Sequence, residues 1–208
     1  AEHSENERRL VGLDDWVVEH GEFVGEHETP HPPIDRVGIH PKPAAALELQ
    51  GDLRDMNAVY RSNGWADVEA ARGAWETVVQ IPTEWNPEKF LSGTANALEA
   101  HPEANCMFVA SDFAFEGVET ALENAGKLHP TGEEGHIWIA AQDVNPQGYT
   151  AMMNGYIDVA TTYDAYFHAV ELVHIAVRLA EGDAIGVSSI LVPGRVATPQ
   201  TLPDMDYI

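Results

Sequence analysis

Short apolar runs recur from residue 44 onward, separated by longer mixed stretches. The runs are AAALEL at 44–49, TVVQI at 77–81, CMFVA at 106–110, IWIAA at 137–141 and IDVAT at 157–161. Runs of this length bounded by polar and turn-forming residues predict strands. Between them, helical patterns fall at about 53–73, 87–100, 113–126, 147–154 and 164–181. Strands alternating with helices predict βαβ units. The expected fold is therefore α/β, with a mostly parallel sheet flanked by helices on both faces.

Two helix starts share one design. Asn86 and Asn145 are placed as N-caps, and Pro87 and Pro146 as first helical residues. Phe90 and Tyr149 then fall at the fourth helical position, where they would staple against Trp85 and Val144. Upstream the pattern weakens. Residues 1–9 are polar, Leu10 to Leu13 reads as a strand end, and Trp16 to Glu26 as a helix. Residues 27–43 carry Pro30, Pro32, Pro33, Pro41 and Pro43 and read as an irregular insertion.

Composition changes the picture mainly through charge. The formal net charge is −23, with lysine only at 42, 89 and 127 and with acids spread along the chain. Such a surface repels nucleic acid and anionic membranes. It suits a protein kept dispersed by charge in salty or extracellular surroundings. Cys106 is the one cysteine and sits on a predicted buried strand, so no internal disulfide forms. No apolar run approaches the ~20 residues that span a bilayer, and no signal-peptide pattern opens the chain.

In open parallel sheets, ligands bind beyond the carboxyl ends of the strands. The positions that follow the predicted strands are Asp52 to Arg61, Pro82 to Trp85, Ser111 and Asp112, Gln142 and Asp143, and Thr162 to Asp164. Asp112 reads first as the cap of the helix that begins near Phe113. Asp143 is different. Asn145 already fills the next cap, so the Asp143 carboxylate is free to accept from two adjacent hydroxyls. Arg61 brings a rigid fork of donors. Trp85 has one ring face to spare for stacking.

These residues form a known pattern. Arg61-Ser-Asn-Gly-Trp65, His101-Pro102 followed by a strand and Ser111-Asp112, Ala125-Gly126-Lys127, Gln142-Asp143 with Pro146 and Gly148, and Asn154-Gly155 with Tyr163 stand in a fixed order. In that order they resemble the C-terminal portion of type I periplasmic sugar-binding proteins, the solute receptors of ABC importers. The resemblance covers the chain from about Leu10 to its end. It implies ligand binding by Arg61, Trp85, Ser111, Asp143 and Tyr163. At Ser111 the family often has Asn, and at Tyr163 often Gln or Asn. Serine keeps a hydrogen bond but shortens the reach, and Tyr163 reads equally as a core tyrosine.

The family clamps its sugar between two lobes and needs ~250–300 residues to do so. The first lobe's principal βαβ units would precede Leu10. The chain is thus either a fragment or half of a receptor whose other half is elsewhere. The expected organisation is a polar segment at 1–9, a ligand-binding lobe at 10–155 with its insertion at 27–43, and a crossover strand, helix and tail at 156–208. The helix at 164–181 and the tail after Leu191 are expected to leave the main sheet and pack on the missing lobe.

The resemblance implies a sugar or polyol as ligand, an ABC permease as partner, and a periplasmic or extracellular location, with a lipid anchor as an option. The alternative of the same fold is the effector-binding half of a sugar-responsive repressor, which the charge opposes. No catalytic set converges, and no cofactor is implied. His20, His27, His31 and His40 are too irregularly spaced for a structural zinc site. His168 and His174 read as packing or surface residues.

Overall fold

The computed structural model describes residues 44–186 and 194–205, all within a compact unit spanning His40–Ile208. The expectations for residues 1–43, including the histidines there, lie outside the described residues. Among the described residues, six strands form one sheet in the order β2-β1-β3-β4-β5-β6. They are β1 Ala44–Gln50, β2 Trp75–Pro82, β3 Cys106–Val109, β4 Trp138–Gln142, β5 Val159–Tyr163 and β6 Gly194–Ala197. The first five pair in parallel, and β6 joins β5 antiparallel. Five α-helices among the described residues accompany them: α1 Met56–Arg72, α2 Pro87–Ala100, α3 Phe115–Asn124, α4 Pro146–Met153 and α5 Ala165–Glu181. The α/β architecture read from the sequence is the one observed.

The pleat sorts the strand residues between two faces. Leu47 and Leu49 of β1, Met107 and Val109 of β3, and Ile139 and Ala141 of β4 share one face. There they join Phe90, Ala97 and Leu98 of α2, Phe115, Val118 and Leu122 of α3, and Ala151 and Met152 of α4. This is the main core. The other face carries Glu48, Gln50 and Phe108. There Trp65 of α1 stacks on Trp75 and Phe108, with ring centroids 4.3 and 5.1 Å away. The buried Glu48 carboxylate is satisfied by the side-chain amides of Gln80 and Gln50, at 2.8 and 3.4 Å.

Several boundaries shift by one to three residues from the sequence pattern, and two of the shifts have a visible cause. Asp112–Ala114 form a 3-10 turn before α3 starts at Phe115. Strand β5 starts at Val159, because Asp158 is committed elsewhere. Its backbone N–H donates to the Ile139 carbonyl, and its carboxylate accepts from the Ile139 N–H and faces both His136 and Thr131.

The tail corrects an expectation. It does not leave the sheet: β6 closes the edge on β5, and Ala197 and Leu202 are buried in the main core. Antiparallel pairing needs only that the chain turn back after α5, so a short returning segment satisfies the open edge of β5. Helix α5 does keep apart. Asp164 caps it by accepting from the Phe167 N–H at 2.8 Å, yet none of its residues is buried. Tyr166, Leu172, Val173, Val177 and Leu179 are all exposed.

Cys106 opens β3, and burial pushes its thiol up to about 12. A thiol at that value stays protonated and unreactive at pH 8. We expect an aromatic disulfide reagent to modify the native protein at least about tenfold more slowly than the protein in urea. Equal rates, followed by absorbance, would show that the sulfur is open to solvent.

Candidate functional site

The strand order reverses at β1, which lies between β2 and β3. A parallel sheet opens a crevice at such a point, beyond the carboxyl ends of the strands. Three elements deliver side chains to it. Arg61 lies in the second turn of α1, Ser111 lies two residues beyond the end of β3, and Asp143 directly follows β4.

These three residues meet. The Arg61 guanidinium donates from Nη2 to Asp143 Oδ1 at 2.8 Å and from Nη1 to Oδ2 at 3.1 Å. Nη1 also donates to the Ala110 carbonyl at 2.7 Å. Ser111 Oγ donates to Asp143 Oδ2 at 2.6 Å. The paired side chains are 17% and 19% exposed. The fork-to-fork geometry fixes both partners more firmly than a single contact would.

This revises one reading. The Asp143 carboxylate is not idle, because Arg61 and Ser111 already engage both oxygens. Counting donors and acceptors shows what remains. Oδ1 has accepted once and keeps a lone pair. Arg61 keeps one Nη2 hydrogen and its Nε hydrogen. Ser111 has spent its proton and keeps its oxygen as an acceptor. Acceptors and donors thus stand side by side in a locally neutral group.

Trp85 flanks the group. Its ring centroid lies 5.9 Å from Arg61 Cζ, within cation–π range. Its indole Nε1 donates to Asp55 Oδ2 at 3.0 Å, while Asp55 Oδ1 accepts from the Asn57 N–H and caps α1. A Cβ on Gly51 would overlap the Trp85 ring, so only glycine lets the β1 end pass beneath the indole. Phe113 meets Trp85 and Phe90 edge-on at 6.4 and 5.6 Å, so its ring joins the two residues expected to form a staple. Beside them, the Arg54 guanidinium holds the Asp52 carboxyl down to about 2.

Tyr163 stands apart. It ends β5, is exposed, and places its ring 5.1 Å from His168 of α5. The structure does not bring it to the Arg61–Asp143 group. His168 therefore has a ring contact, while its exposure and that of His174 fit surface positions. A hollow of about 550 Å³ opens on the α1 face of the sheet, lined in part by Tyr60, Arg61, Trp65, Phe108, Gln142 and Thr161. Among the described residues, no group of His, Cys, Asp and Glu is placed to hold a metal ion. Among them, too, no helix is long and apolar enough to cross a membrane.

Asp112 departs from its sequence reading. The 3-10 turn and α3 have no side-chain cap, so Asp112 does not cap the helix that follows it. Its carboxylate reaches across to the next unit instead. Oδ2 accepts from the Val144 N–H at 2.9 Å, and Oδ1 accepts from the Asn145 N–H and amide at 2.8 and 2.9 Å. Asn145 occupies the N-cap of α4, but its side chain makes no capping bond because Asp112 has taken it. Asn86 caps as expected, accepting from the Glu88 N–H at 2.9 Å. The two Asn-Pro starts share a deeper feature, which side-chain pattern does not reveal. Each is preceded by two left-handed residues, Glu84 and Trp85 in one, Asp143 and Val144 in the other.

Residues 38–184 match the family described as the periplasmic binding protein domain, and the chain belongs to that family. Among curated proteins, it is 28% identical over 112 residues to the ribose import binding protein of Salmonella typhimurium, covering 54% of this chain and 35% of that protein. The chain thus spans about a third of the curated relatives it matches. Among solved structures, it superposes on an ABC transporter periplasmic solute binding protein from Actinobacillus succinogenes with bound D-allose. The TM-score is 0.71 at 22% identity, over 79% of this chain and 56% of that one. A solute binding protein from Bacillus halodurans with bound myo-inositol gives 0.68 at 23%, over 78% and 54%. These neighbours share the fold, and this chain spans little more than half of each.

Proposed function

We propose that this chain supplies one lobe of a solute receptor for an ABC importer, and that it binds a sugar or similar polyol in a cleft completed by a second lobe. The observation that carries the reading is the Arg61–Asp143–Ser111 group at the switch point of the sheet. A hydroxyl both donates and accepts, so adjacent hydroxyls match a wall that offers donors and acceptors in alternation. Arg61 is neutralised by Asp143, and the chain as a whole is strongly acidic, so an uncharged ligand fits better than an anion. Trp85 offers aromatic surface to the apolar face of a sugar ring. Tyr163, at the end of β5, stands apart from this group and would meet the ligand separately. Such a role is non-catalytic. It places the protein in the periplasm or outside the cell, where a permease would take the ligand on.

Exposure of the apolar side chains of α5 supports a missing partner lobe, because exposed apolar patches of this kind mark docking surfaces. Domain closure divides the contact set between two walls. The chain by itself should therefore bind pentoses, hexoses and polyols more weakly than about 1 mM, equivalent to ~4 kcal/mol. Calorimetry and sedimentation test both parts. A monodisperse monomer that binds a sugar at micromolar affinity would overturn the half-receptor reading.

A further inference from the structure

We propose that Asp112 is a positioning residue, which meets no ligand itself but fixes the backbone turn that holds the Asp143 carboxylate against Arg61 and Ser111. The inference deepens the functional reading above and rests on it for its purpose, though not for its test.

Asp143 has φ 93° and Val144 φ 58°, in the left-handed region that side chains with a Cβ avoid. Two such residues in succession persist only where the surroundings over-determine them. Here the turn is clamped from two sides. On one, the Asp143 N–H donates to the Thr161 carbonyl of β5 at 2.8 Å. On the other, the next two N–H groups, Val144 and Asn145, both donate to the Asp112 carboxylate. Without that carboxylate, two buried or half-buried donors would lose their acceptor, and the strained turn would relax.

Asp112 is fully buried, and the first turn of α4 sits directly on it. A Cβ on Gly148 would overlap the carboxylate, so this turn accepts only a residue without a side chain. The carboxylate is thus held in place by α4 as firmly as it holds α4. The otherwise comparable turn at Glu84 and Trp85 is held by backbone carbonyls, through Thr83 N–H to Gln50 and Glu84 N–H to Gly51. The backbone N–H groups of that turn go to carbonyls, whereas the Val144 and Asn145 N–H groups of the turn that carries Asp143 go to an ionisable side chain.

That dependence is measurable, since burial pushes the Asp112 carboxyl up to about 6. The charged groups around it are few. Asp143 acts on it from the turn after β4, and Arg61 of α1 is paired with Asp143. Residues 146–153 of α4 carry no charged side chain, and Glu116 of α3 is exposed. Above the midpoint all three donors are accepted. Below it, the added proton leaves one N–H without an acceptor.

Nuclear magnetic resonance on the full 208-residue chain tests the proposal. The Arg61 guanidinium and the Val144 amide are the probes. In the unsubstituted protein, the Arg61 signals should shift between pH 7.5 and 5 with a midpoint near Asp112's value of about 6. In Asp112→Asn, which is similar in size but turns a donor toward Val144, they should sit away from their original position at pH 7 and should not titrate. Val144 amide exchange should speed by at least about tenfold, as expected for a lost charge-assisted bond. Arg61 signals that are unmoved in Asp112→Asn and titrate as before would overturn the proposal. If the variant fails to fold, the titration of the unsubstituted protein still decides. Arg61 signals flat across that range would count against it. The readout uses no ligand, so it can fail while sugar binding stands, and the reverse.

Discussion

Asp143→Asn is expected to keep the fold and lose most of the sugar affinity, when measured in a receptor whose two lobes are both present. The amide keeps one acceptor, but it turns an N–H toward the donors of Arg61 or Ser111. It also removes the charge that neutralises Arg61. Losing one hydrogen bond to a charged group costs ~1.5–3 kcal/mol, or roughly a tenfold to hundredfold rise in Kd. The structure adds a reason that the sequence did not contain. Asp143 also holds the guanidinium in place, so the substitution would weaken the two proposed ligand contacts together. Calorimetry against pentoses, hexoses and polyols measures the effect. Unchanged affinity would remove Asp143 from the site and with it the proposed binding wall.

Phe90→Ala should produce the largest loss of stability. The ring is fully buried, lies in the first turns of α2, and meets Phe113 edge-on at 5.6 Å. Truncating a buried phenylalanine costs ~3–5 kcal/mol through lost burial and the cavity left behind. That is a large part of the 5–15 kcal/mol that stabilises a typical domain. The cavity would also open beneath Phe113, which supports Trp85. Urea unfolding followed by circular dichroism should show the midpoint fall sharply with the slope unchanged. A midpoint shift worth under about 1 kcal/mol would show that the core closes around the gap.

The sequence determined the sheet because its signals there are local. The apolar run CMFVA at 106–110 can hide only as a central strand, and the Asn86-Pro87 start of α2 needs no tertiary partner to be read. The residues after the strands were legible for the same reason. Topology alone puts Arg61, Ser111 and Asp143 near one crevice. What was not legible was how those side chains spend their hydrogen bonds. Asp112 looks like a cap for the helix beside it. It instead serves a turn some thirty residues on, and the choice depends on where α4 comes to rest. Asn145 looks like a cap and is one by position, but Asp112 draws its amide away. The left-handed pairs at Glu84 and Trp85 and at Asp143 and Val144 contain no glycine to announce them.

The tail followed the same rule. Residues 194–197 carry a weak local pattern, GRVA, and became a strand only because β5 offered an open edge. Local periodicity and capping therefore decided which segments are strands and helices, and in what order. Burial and long-range hydrogen bonding decided which carboxylate pairs with Arg61 and which one accepts from the turn beside it.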